Sequence, residues 1–324
     1  MGRPKLCLGE EVDDDPIDLL DPRRLLVFAE VARRGSLAGA AQHLGWTQPA
    51  VAQHVKRLER DAGCALLVRS PRGVTLTEAG RALAEHATAI TARLRAARED
   101  LAALAELRAG RVRLAAFPSA CATFVPAALA RLQSAAPGLD VRLTEAEPPQ
   151  ARQLLDDGDV DLAVTFVYAD VPEDPSGLTA IERTTLFEDE LLLVLPADSD
   201  LAGRDRVSLR DASAERWIAG CPSCRAHLLA AAATAGFLPD IRHSTDDYVV
   251  TQTLVAAGLG VALVPALAIE AADVPGVRTV PPVGSPPRTI ALDRALHVPA
   301  GPSVLAVTDA LLAVAAARRP VARP

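Results

Sequence analysis

Two short helices joined by one glycine constrain the fold of this chain more than any other feature of its sequence. Ser36 is a suitable N-cap for a helix over 37–44, and Thr47 for a helix over 48–61, with Gly45 in the turn between them. Apolar residues recur at helical spacing in both segments, so each predicts an amphipathic helix. Such a pair is typical of a helix-turn-helix, although a generic helical hairpin has the same pattern.

The flanking segments extend this pattern in both directions. Asp21 is a favourable N-cap, followed by a proline, for a preceding helix that we expect to end near Gly35. Beyond the third helix, two strand-like segments at 65–69 and 74–76 surround a basic turn that contains proline and glycine. They predict a hairpin wing, so we expect residues 21–80 to form a winged helix-turn-helix DNA-binding domain.

Charge is distributed unevenly along the chain. The 324 residues carry a net charge of −7, but residues 21–80 contain nine Arg or Lys against five acids, a local net charge of +4. A basic block within an acidic chain favours contact with DNA, although ordinary scatter of surface charge gives a similar count. Residues 1–20 are acidic and lack the apolar core of a signal peptide, so we expect a short disordered leader.

Composition argues against two classes of protein. Half of the residues are hydrophobic, but mean hydropathy is only +0.18 and no uncharged apolar stretch is long enough to span a membrane. The five cysteines are sparse and odd in number, unlike a disulfide framework. We therefore expect a cytoplasmic protein that has no membrane partner and needs no cofactor.

A long helix is predicted to follow the wing, over residues 77–109. Apolar side chains recur along it at alternating spacings of four and three residues, the a and d pattern of a coiled coil. The narrow stripe favours a seam between two helices of a dimer over packing within one domain. The residues of this seam are Leu83, Ala87, Ile90, Leu94, Ala97, Leu101 and Leu104.

From residue 110 onward, strand-like and helical segments alternate. The main predicted strands are 112–117, 141–144, 160–167, 191–195 and 289–292, and the main predicted helices are 123–135, 150–156, 226–235, 248–257 and 303–317. This alternation predicts a parallel sheet covered by helices, followed by a second α/β unit.

Short motifs along the chain, taken together in this order, resemble the LysR-type transcriptional regulators. The N-terminal motifs are Phe28 and Val31, Gly35-Ser36-Leu37, Ala40-Ala41, Leu44, Thr47-Gln48-Pro49-Ala50-Val51, Leu58-Glu59, Gly63, Leu67, Arg69, Leu76-Thr77 and Ala79-Gly80. Two later motifs, Ala235-Gly236-Phe237 and 254–261, are similar to the effector domain of that family. The resemblance covers nearly all of the chain after residue 20.

The resemblance implies a multidomain regulator that binds double-stranded DNA as a homodimer or homotetramer. It also implies an effector-binding domain over 110–324 that resembles type 2 periplasmic binding proteins, with a small molecule between two α/β lobes. The first lobe is expected over about 110–185 plus 288–324, and the second over about 186–287. Sequence-specific DNA binding under the control of a small-molecule effector is the function that this architecture implies.

Polar residues of the third helix are the candidates for DNA contact. The first residues of such a helix meet base edges, and glutamine can pair with adenine through two hydrogen bonds. Gln48, Gln53 and His54 are predicted to read bases, while cationic residues hold phosphates. The predicted DNA-binding residues are Thr47, Gln48, Pro49, Ala50, Gln53, His54, Lys56, Arg57, Arg69 and Arg72.

Two features of that helix qualify its predicted contacts. Arg57 and Arg60 could instead form a solvated face, paired with Glu59 or Asp61. Members of the resembled family often carry serine where this chain has Ala52, so a hydroxyl contact with a base is lost at that position.

The candidate effector site combines residues from both predicted lobes. Ser119 follows a strand and opens a helix, so it is predicted either to hold an anionic group or to act only as an N-cap. Arg225 is suited to a carboxylate, and Asp247 to an amine. The predicted effector-binding residues are Ser119, Thr165, Phe166, Cys221, Ser223, Arg225 and Asp247, and the effector is expected to be anionic or zwitterionic.

The pair Cys221 and Cys224 admits three interpretations: packing before a helix, contact with the effector, or a redox switch. A zinc site needs further ligands that the neighbouring sequence does not supply, so we expect no metal. The redox interpretation leaves two alternatives to an effector-controlled regulator, namely a redox-sensing regulator and a thiol oxidoreductase. No motif of an enzyme supports the second alternative.

Overall fold

A computed structural model describes residues 20–70, 73–106, 110–172, 181–296 and 300–318. The chain divides into two compact units, Met1–Thr91 and Ala92–Pro324. We call them the N-terminal unit and the C-terminal unit. The predicted leader over 1–20 lies almost wholly outside the described residues.

The N-terminal unit has the element order of a winged helix-turn-helix. Its elements are α1 (Pro22–Arg34), α2 (Leu37–Leu44), α3 (Gln48–Asp61), β1 (Leu67–Ser70), β2 (Gly73–Leu76) and the first part of α4 (Glu78–Glu106). Strands β1 and β2 pair antiparallel, with Leu67 opposite Leu76. The sequence predicts each of these elements, with ends that differ by no more than three residues from those observed.

Local sequence explains where these helices begin and end. The Ser36 hydroxyl accepts a hydrogen bond from the N–H of Gly39 at 3.0 Å, and the Thr47 hydroxyl accepts one from the N–H of Ala50 at 3.4 Å. Gly45 ends α2 in the left-handed region, at φ 66°, which glycine adopts without steric cost. The predicted caps of α2 and α3 are therefore confirmed.

Five fully buried side chains form the centre of the N-terminal core. They are Phe28, Val31, Val51, Val55 and Leu58, from α1 and α3. Their burial on one face of each helix leaves the polar residues of α3 on the opposite face. The core thus sets which residues of α3 point to solvent.

The C-terminal unit begins within α4 and contains two five-stranded sheets, which we call lobe 1 and lobe 2. Its first elements are β3 (Arg111–Ala116), α5 (Pro118–Ala122), α6 (Phe124–Ala135), β4 (Asp140–Glu145), α7 (Pro148–Asp156), β5 (Leu162–Tyr168), β6 (Ile181–Asp189) and β7 (Leu191–Pro196). Then follow β8 (Val207–Ser208), a 3-10 turn (Leu209–Ala212), β9 (Arg216–Ala219), α8 (Pro222–Thr234), β10 (Asp240–Ser244), α9 (Tyr248–Ala256), β11 (Val261–Pro265), α10 (Ala266–Ala271), β12 (Val277–Val280), β13 (Pro282–Val283), β14 (Arg288–Ala295) and α11 (Pro302–Ala317).

The strand order is β4-β3-β5-β14-β6 in lobe 1 and β10-β9-β11-β7-β12 in lobe 2. Both sheets are mixed, because β14 runs antiparallel to β5 and β6, and β7 runs antiparallel to β11 and β12. The expectation of a purely parallel sheet is therefore wrong at the strands that link the lobes. Strand β14 returns to lobe 1 from lobe 2 and therefore enters the sheet at the end opposite to that where β5 begins. It runs antiparallel to β5 for this reason.

Strand β6 also moves the expected boundary between the lobes. We expected lobe 1 to end near residue 185, but Ile181–Asp189 is one continuous strand of its sheet. The crossing into lobe 2 lies between Asp189 and Leu191. The sequence does not reveal β6, because it is an edge strand with mostly polar or half-exposed side chains and no regular apolar alternation.

The described residues contain neither a candidate membrane-spanning helix nor a candidate metal cluster. No helix there combines the length and the apolar character that a membrane crossing requires. No three His, Cys, Asp or Glu side chains in the same part of the chain cluster as metal ligands.

Candidate functional site

The outward face of α3 carries most of the candidate DNA-binding residues. Its exposed residues, with the N-cap, are Thr47, Gln48, Pro49, Gln53, Lys56, Arg57 and Arg60. Ala50 is half-buried at the edge of this face. The face combines hydrogen-bonding amides near the N-terminus of the helix with cations further along, the arrangement that a groove-binding helix needs.

The two acids that could neutralise Arg57 are engaged elsewhere. A carboxylate oxygen of Glu59 accepts a hydrogen bond from the N–H of Leu66 at 3.0 Å, which ties α3 to the start of the wing. Asp61 forms an ion pair with Arg24 of α1. These contacts support a phosphate-binding role for Arg57 over an ion-paired helix face.

His54 differs from the other candidate base readers. It is half-buried, and its ring lies 5.1 Å from that of Trp46, tilted by 39°. Its Nδ1 is buried and has no hydrogen-bond partner among the described residues. Packing against Trp46 leaves Gln48 and Gln53 as the exposed candidates for base contact.

The wing is described only in part. Arg69 lies on β1, but its side chain is outside the described residues, and so is the whole of Arg72. The backbone fixes the hairpin against the helices, since the N–H of Val74 donates to the carbonyl oxygen of Gly35 at 3.1 Å. The wing therefore stands beside the turn that joins α1 to α2.

The predicted dimer seam divides into two parts. Ala87 is fully buried and Leu83 is half-buried, and both pack within the core of the N-terminal unit. The assignment of Ala87 to an intermolecular seam is therefore wrong, because its own domain covers it completely, whereas that of the half-buried Leu83 stays a prediction. Further along α4, Ile90 and Leu94 are 37% and 47% exposed, and Ala97 is exposed, while the side chains of Leu101 and Leu104 lie outside the described residues.

A fully buried arginine marks the candidate site in the C-terminal unit. Arg288 is the first residue of β14, where the chain returns to lobe 1. Its Nε donates to the Asp189 carboxylate at 2.9 Å, and its Nη2 donates to the Ser119 hydroxyl at 2.9 Å. Its Nη1 is buried and has no hydrogen-bond partner among the described residues. One donor of a buried cation is thus left for a ligand.

Two aromatic rings, themselves in edge-to-face contact, support this guanidinium. Its central carbon lies 4.4 Å from the ring centroid of Phe166 and 4.9 Å from that of Phe117. Burial lowers the pKa of Arg288, but Asp189 and other groups around it outweigh burial and hold the pKa above its ordinary value. The site therefore holds a permanent positive charge.

A buried carboxyl lies in the same electrostatic environment. Glu147 precedes α7, and neither of its carboxyl oxygens has a hydrogen-bond partner within the described residues. Burial raises the pKa of Glu147, against the opposing effect of Arg288. The site thus offers both an unfilled donor and unfilled acceptors.

Lobe 2 closes on these residues through the N-terminal end of α8. The Tyr168 hydroxyl, at the end of β5, donates to Cys224 Sγ at 3.5 Å. One turn further along α8, the His227 ring stacks on Tyr168, with centroids 4.3 Å apart. His227 Nδ1 lies 2.7 Å from the Asp170 carboxylate of lobe 1. The apolar core that surrounds Phe166 also includes Cys221 and Cys224, so it runs across both lobes.

Cavities lie on two sides of this contact. One of about 300 Å³ is lined by Phe166 and Tyr168 of lobe 1 and by Ser223 of lobe 2, together with several prolines. Another, of about 480 Å³, is lined by Asp189 and reaches Ser285. Arg288 lies between the Phe166 ring, which borders the first cavity, and the Asp189 carboxylate, which borders the second.

The comparisons with known proteins bear on both units. A family model described as a bacterial regulatory helix-turn-helix protein of the lysR family matches residues 22–81. A second, described as the LysR substrate binding domain, matches residues 105–316, which is well over half of the chain. The chain belongs to the LysR family. LysR-family proteins are transcription regulators, which sets aside the thiol oxidoreductase interpretation.

Individual relatives agree with the LysR assignment. The RuBisCO operon transcriptional regulator of Allochromatium vinosum is 33% identical over 196 residues, 60% of this chain and 62% of the relative. The regulator CfxR of Cupriavidus necator is 33% identical over 190 residues, 58% of each chain. The chain spans about three-fifths of the length of these curated relatives.

Solved structures show the same fold for this LysR-family chain. The crystal structure of CbnR, a LysR family transcriptional regulator, has a TM-score of 0.57 at 23% identity and covers 91% of this chain and 99% of CbnR. A full-length OxyR from Pseudomonas aeruginosa has a TM-score of 0.62 at 21% identity, with coverage of 91% and 98%. The winged head and the two-lobe domain together are therefore a LysR architecture.

Only some of the predicted effector residues of this LysR-family chain lie near Arg288 or the interlobe cavity. Ser119 and Phe166 contact Arg288, Phe166 and Ser223 line the interlobe cavity, and Cys221 belongs to the apolar core that includes Phe166. Ser119 is not an N-cap, because α5 begins at Pro118 and is capped by the preceding residue without a side-chain hydrogen bond. Its hydroxyl is directed to Arg288 instead.

Three predicted effector residues lie elsewhere in the LysR-family chain. Thr165 is fully buried and donates to the Asp293 carboxylate at 2.8 Å, on the face of the sheet opposite Phe166. The Asp247 carboxylate accepts from the N–H of Val249 at 2.8 Å and so caps α9. Neither Arg225 nor Arg288 lines either cavity, but Arg225 is exposed in the first turn of α8, whereas Arg288 is fully buried.

Arg288 and Glu147 are the residues that sequence reasoning missed in this LysR-family site. Arg288 follows a proline-rich segment and begins a strand that returns from lobe 2, so no local pattern separates it from a surface arginine. The sequence signal that could identify Arg288 is its position as the first residue of a strand that is otherwise rich in apolar residues. Burial of a charge there requires partners such as Asp189, which only the fold brings near.

Proposed function

We propose that this LysR-family chain is a sequence-specific DNA-binding transcription regulator controlled by a small molecule between its lobes. Binding to double-stranded DNA is supported by the outward face of α3, where Gln48, Gln53, Lys56 and Arg57 are all exposed. Amides specify bases and cations hold phosphates on such a face. The wing beside it, with Arg69, adds backbone contacts in the same arrangement.

The buried Arg288 carries the proposal for the effector. Its Nη1 is a charged donor without a partner among the described residues, although Asp189 and Ser119 occupy its other nitrogens. A buried, unpaired donor costs free energy, and a ligand carboxylate would remove that cost. The effector is therefore a small molecule that carries at least one carboxylate or a similar anionic group.

The Glu147 carboxyl favours a zwitterion within this class. Both of its oxygens are buried and lack a hydrogen-bond partner in the described chain. A ligand ammonium would supply donors to them and would offset the burial that raises the pKa of Glu147. A simple anion would instead leave that carboxyl without a hydrogen-bond partner.

Self-association through α4 completes the proposed function. Ile90 and Leu94 form an exposed apolar stripe on α4, and the stripe continues to Ala97. A second copy of α4 would cover it, giving the paired heads that a two-fold DNA site needs. A homodimer is the smallest such assembly, and a homotetramer follows if dimers pair.

The experiment that tests the effector proposal is a titration of full-length protein with small carboxylates, amino acids and matched neutral amides, read by calorimetry. We expect a carboxylate or an amino acid to bind and its neutral amide to bind at least tenfold more weakly. The same ligand should change the affinity of the protein for its DNA site. Binding only of neutral compounds would overturn the role of Arg288, and binding without an effect on DNA affinity would overturn the regulatory role.

A further inference from the structure

The N-terminal end of α8 holds two cysteines in a Cys-Pro-Ser-Cys sequence. Cys221 is the N-cap of the helix and Cys224 lies in its first turn. Their sulfur atoms are 3.0 Å apart, closer than an ordinary van der Waals contact between sulfurs. A disulfide needs an approach of only about 1 Å more, since its S–S length is about 2.05 Å. Within the described residues both thiols are reduced.

We propose that Cys221 and Cys224 form a reversible disulfide when a small hydroperoxide enters the interlobe cavity, so that this chain also senses oxidant. The proposal rests on the sulfur geometry and on the contacts of α8. It does not depend on the proposed carboxylate effector, because the two events use different atoms of the site.

Cys224 is suited to be the attacking thiol. The hydrogen bond from Cys221 lowers the pKa of Cys224, and Arg288 and the Tyr168 hydroxyl act in the same direction against burial. The pKa of Cys221 is raised by the same hydrogen bond, by burial and by Glu147, so Cys221 keeps its proton. A thiol with a lowered pKa beside a thiol with a raised pKa is the arrangement in which the first sulfur attacks and the second resolves.

Burial selects the class of oxidant. Cys221 is 2% exposed and Cys224 is 8% exposed, which excludes a bulky disulfide such as an oxidised peptide. Neither cysteine lines the cavity of about 300 Å³, but its walls include Tyr168, which contacts Cys224, and Pro222, which follows Cys221. Hydrogen peroxide or a short alkyl hydroperoxide fits this cavity and needs no further co-reactant.

The chemistry balances with one hydroperoxide per disulfide. The Cys224 thiolate attacks an oxygen of ROOH, the O–O bond breaks, and the released alkoxide takes up a proton as ROH, leaving a sulfenic acid on Cys224. Cys221 then attacks that sulfur, the S–O bond breaks, and the thiol proton leaves with the hydroxide as water. The two thiols lose two electrons in total, which the peroxide gains.

Oxidation alters a contact between the lobes. Cys224 accepts the hydrogen bond of Tyr168 from lobe 1, and Cys221 accepts the N–H of Cys224 at 3.4 Å as the helix cap. Drawing the sulfurs together changes both contacts, on the same face of α8 where His227 stacks on Tyr168. The disulfide therefore acts on the lobe–lobe geometry that a ligand would also change.

The test is to treat full-length, reduced protein with hydrogen peroxide, alkylate it and map the peptides by mass spectrometry. We expect the peptide that contains both cysteines to lose two hydrogen atoms, resist alkylation and regain both thiols after reduction with dithiothreitol. A triple variant, C7S/C64S/C121S, should behave in the same way, since it keeps only the pair. Recovery of both cysteines as alkylated thiols, at a peroxide dose that oxidises the exposed Cys64, would overturn the proposal.

Two single variants separate a switch from a structural pair. Cys221→Ser retains a capping oxygen, so α8 should form, and Cys224 should then stop at sulfenic acid, which dimedone traps. Cys224→Ser should show neither product. A wild-type disulfide that leaves DNA affinity and the protease sensitivity of the lobes unchanged would contradict the sensing role, and a change in either that is absent from both variants would support it.

Discussion

The Ser119 hydroxyl accepts a hydrogen bond of 2.9 Å from Arg288, a residue 169 positions later in the chain. The contact joins the short helix that follows the first strand of lobe 1 to the strand that returns from lobe 2. It orients the guanidinium so that Nε and Nη2 are satisfied within the protein and Nη1 remains. The proposed ligand site thus depends on residues that the fold, and not the local sequence, brings together.

Ser119→Ala tests that relationship. Loss of the hydroxyl leaves Arg288 less well oriented, and a hydrogen bond to a charged group is worth about 1.5–3 kcal/mol, so the affinity for the carboxylate effector should fall by at least about tenfold. Calorimetry measures this loss. Arg225→Ala is the matched control, because it removes an exposed arginine of the same unit and should leave the affinity unchanged. Equal losses in both variants would place the ligand elsewhere.

Gln48→Ala and Lys56→Ala separate base reading from phosphate contact on α3. Gln48→Ala should reduce discrimination at one base pair by about 1–3 kcal/mol, because a paired amide is lost. Lys56→Ala should weaken binding to all duplexes alike and reduce the slope of log K against log salt by about 1. Competition gel shifts with single-base variants of the site measure both effects. Indistinguishable behaviour of the two variants would contradict the assigned roles.

Charged substitution of the exposed stripe on α4 tests self-association. The double variant Ile90→Asp/Leu94→Asp places carboxylates where we expect a second copy to pack, so the protein should sediment as a monomer. Arg93→Ala is the control, since it changes an exposed residue of the same helix without adding charge to the stripe. Sedimentation velocity distinguishes the outcomes, and an intact dimer in the double variant would rule out this surface.

Glu147→Gln tests the buried carboxyl through the pH dependence of stability. Burial raises the pKa of Glu147 in the folded chain, so the folded state binds this proton more tightly than the unfolded chain, whose ordinary value is 4.5. The resulting stabilisation is complete below that value and is lost as the pH rises through the folded pKa. The variant has no such proton to lose.

Glu147→Gln should therefore be more stable than the wild type at neutral pH, and the gap should close as the pH falls below 4.5. Urea unfolding across this range measures the gap. Glu145→Gln, at an exposed position two residues earlier, is the control and should follow the wild type. A difference in stability between the variant and the wild type that grows towards acid pH would show that Glu147 is held ionised by Arg288.

The sequence predicts most of the N-terminal unit because its signals are local. Ser36, Gly45 and Thr47 mark helix ends by their own side chains or backbone freedom, and each does so in the structure. The inner face of α3 follows from apolar periodicity in the same way. Periodicity also places Ala87 in the seam between two helices, but the structure covers it within its own domain, because periodicity shows that a residue is covered and does not show by what.

The effector site is less predictable because it is assembled over long distances. The sequence singles out Ser119 as the start of a helix, but its hydroxyl hydrogen-bonds to Arg288 and does not cap that helix. From the sequence alone, Arg225 is a stronger candidate for ligand binding than Arg288, because it lies beside a distinctive cysteine motif. Burial of Arg288 depends on Asp189, the last residue of β6, and this strand has no clear apolar pattern.

The central claim is tested most directly by selection of duplexes from a random library with the full-length protein, followed by anisotropy titrations over a range of salt. We expect one enriched motif with two-fold symmetry, bound about 10³-fold or more tightly than a scrambled duplex, and an affinity that falls steeply with salt. Failure to enrich any motif, or equal affinity for the selected and scrambled duplexes, would contradict a sequence-specific regulator.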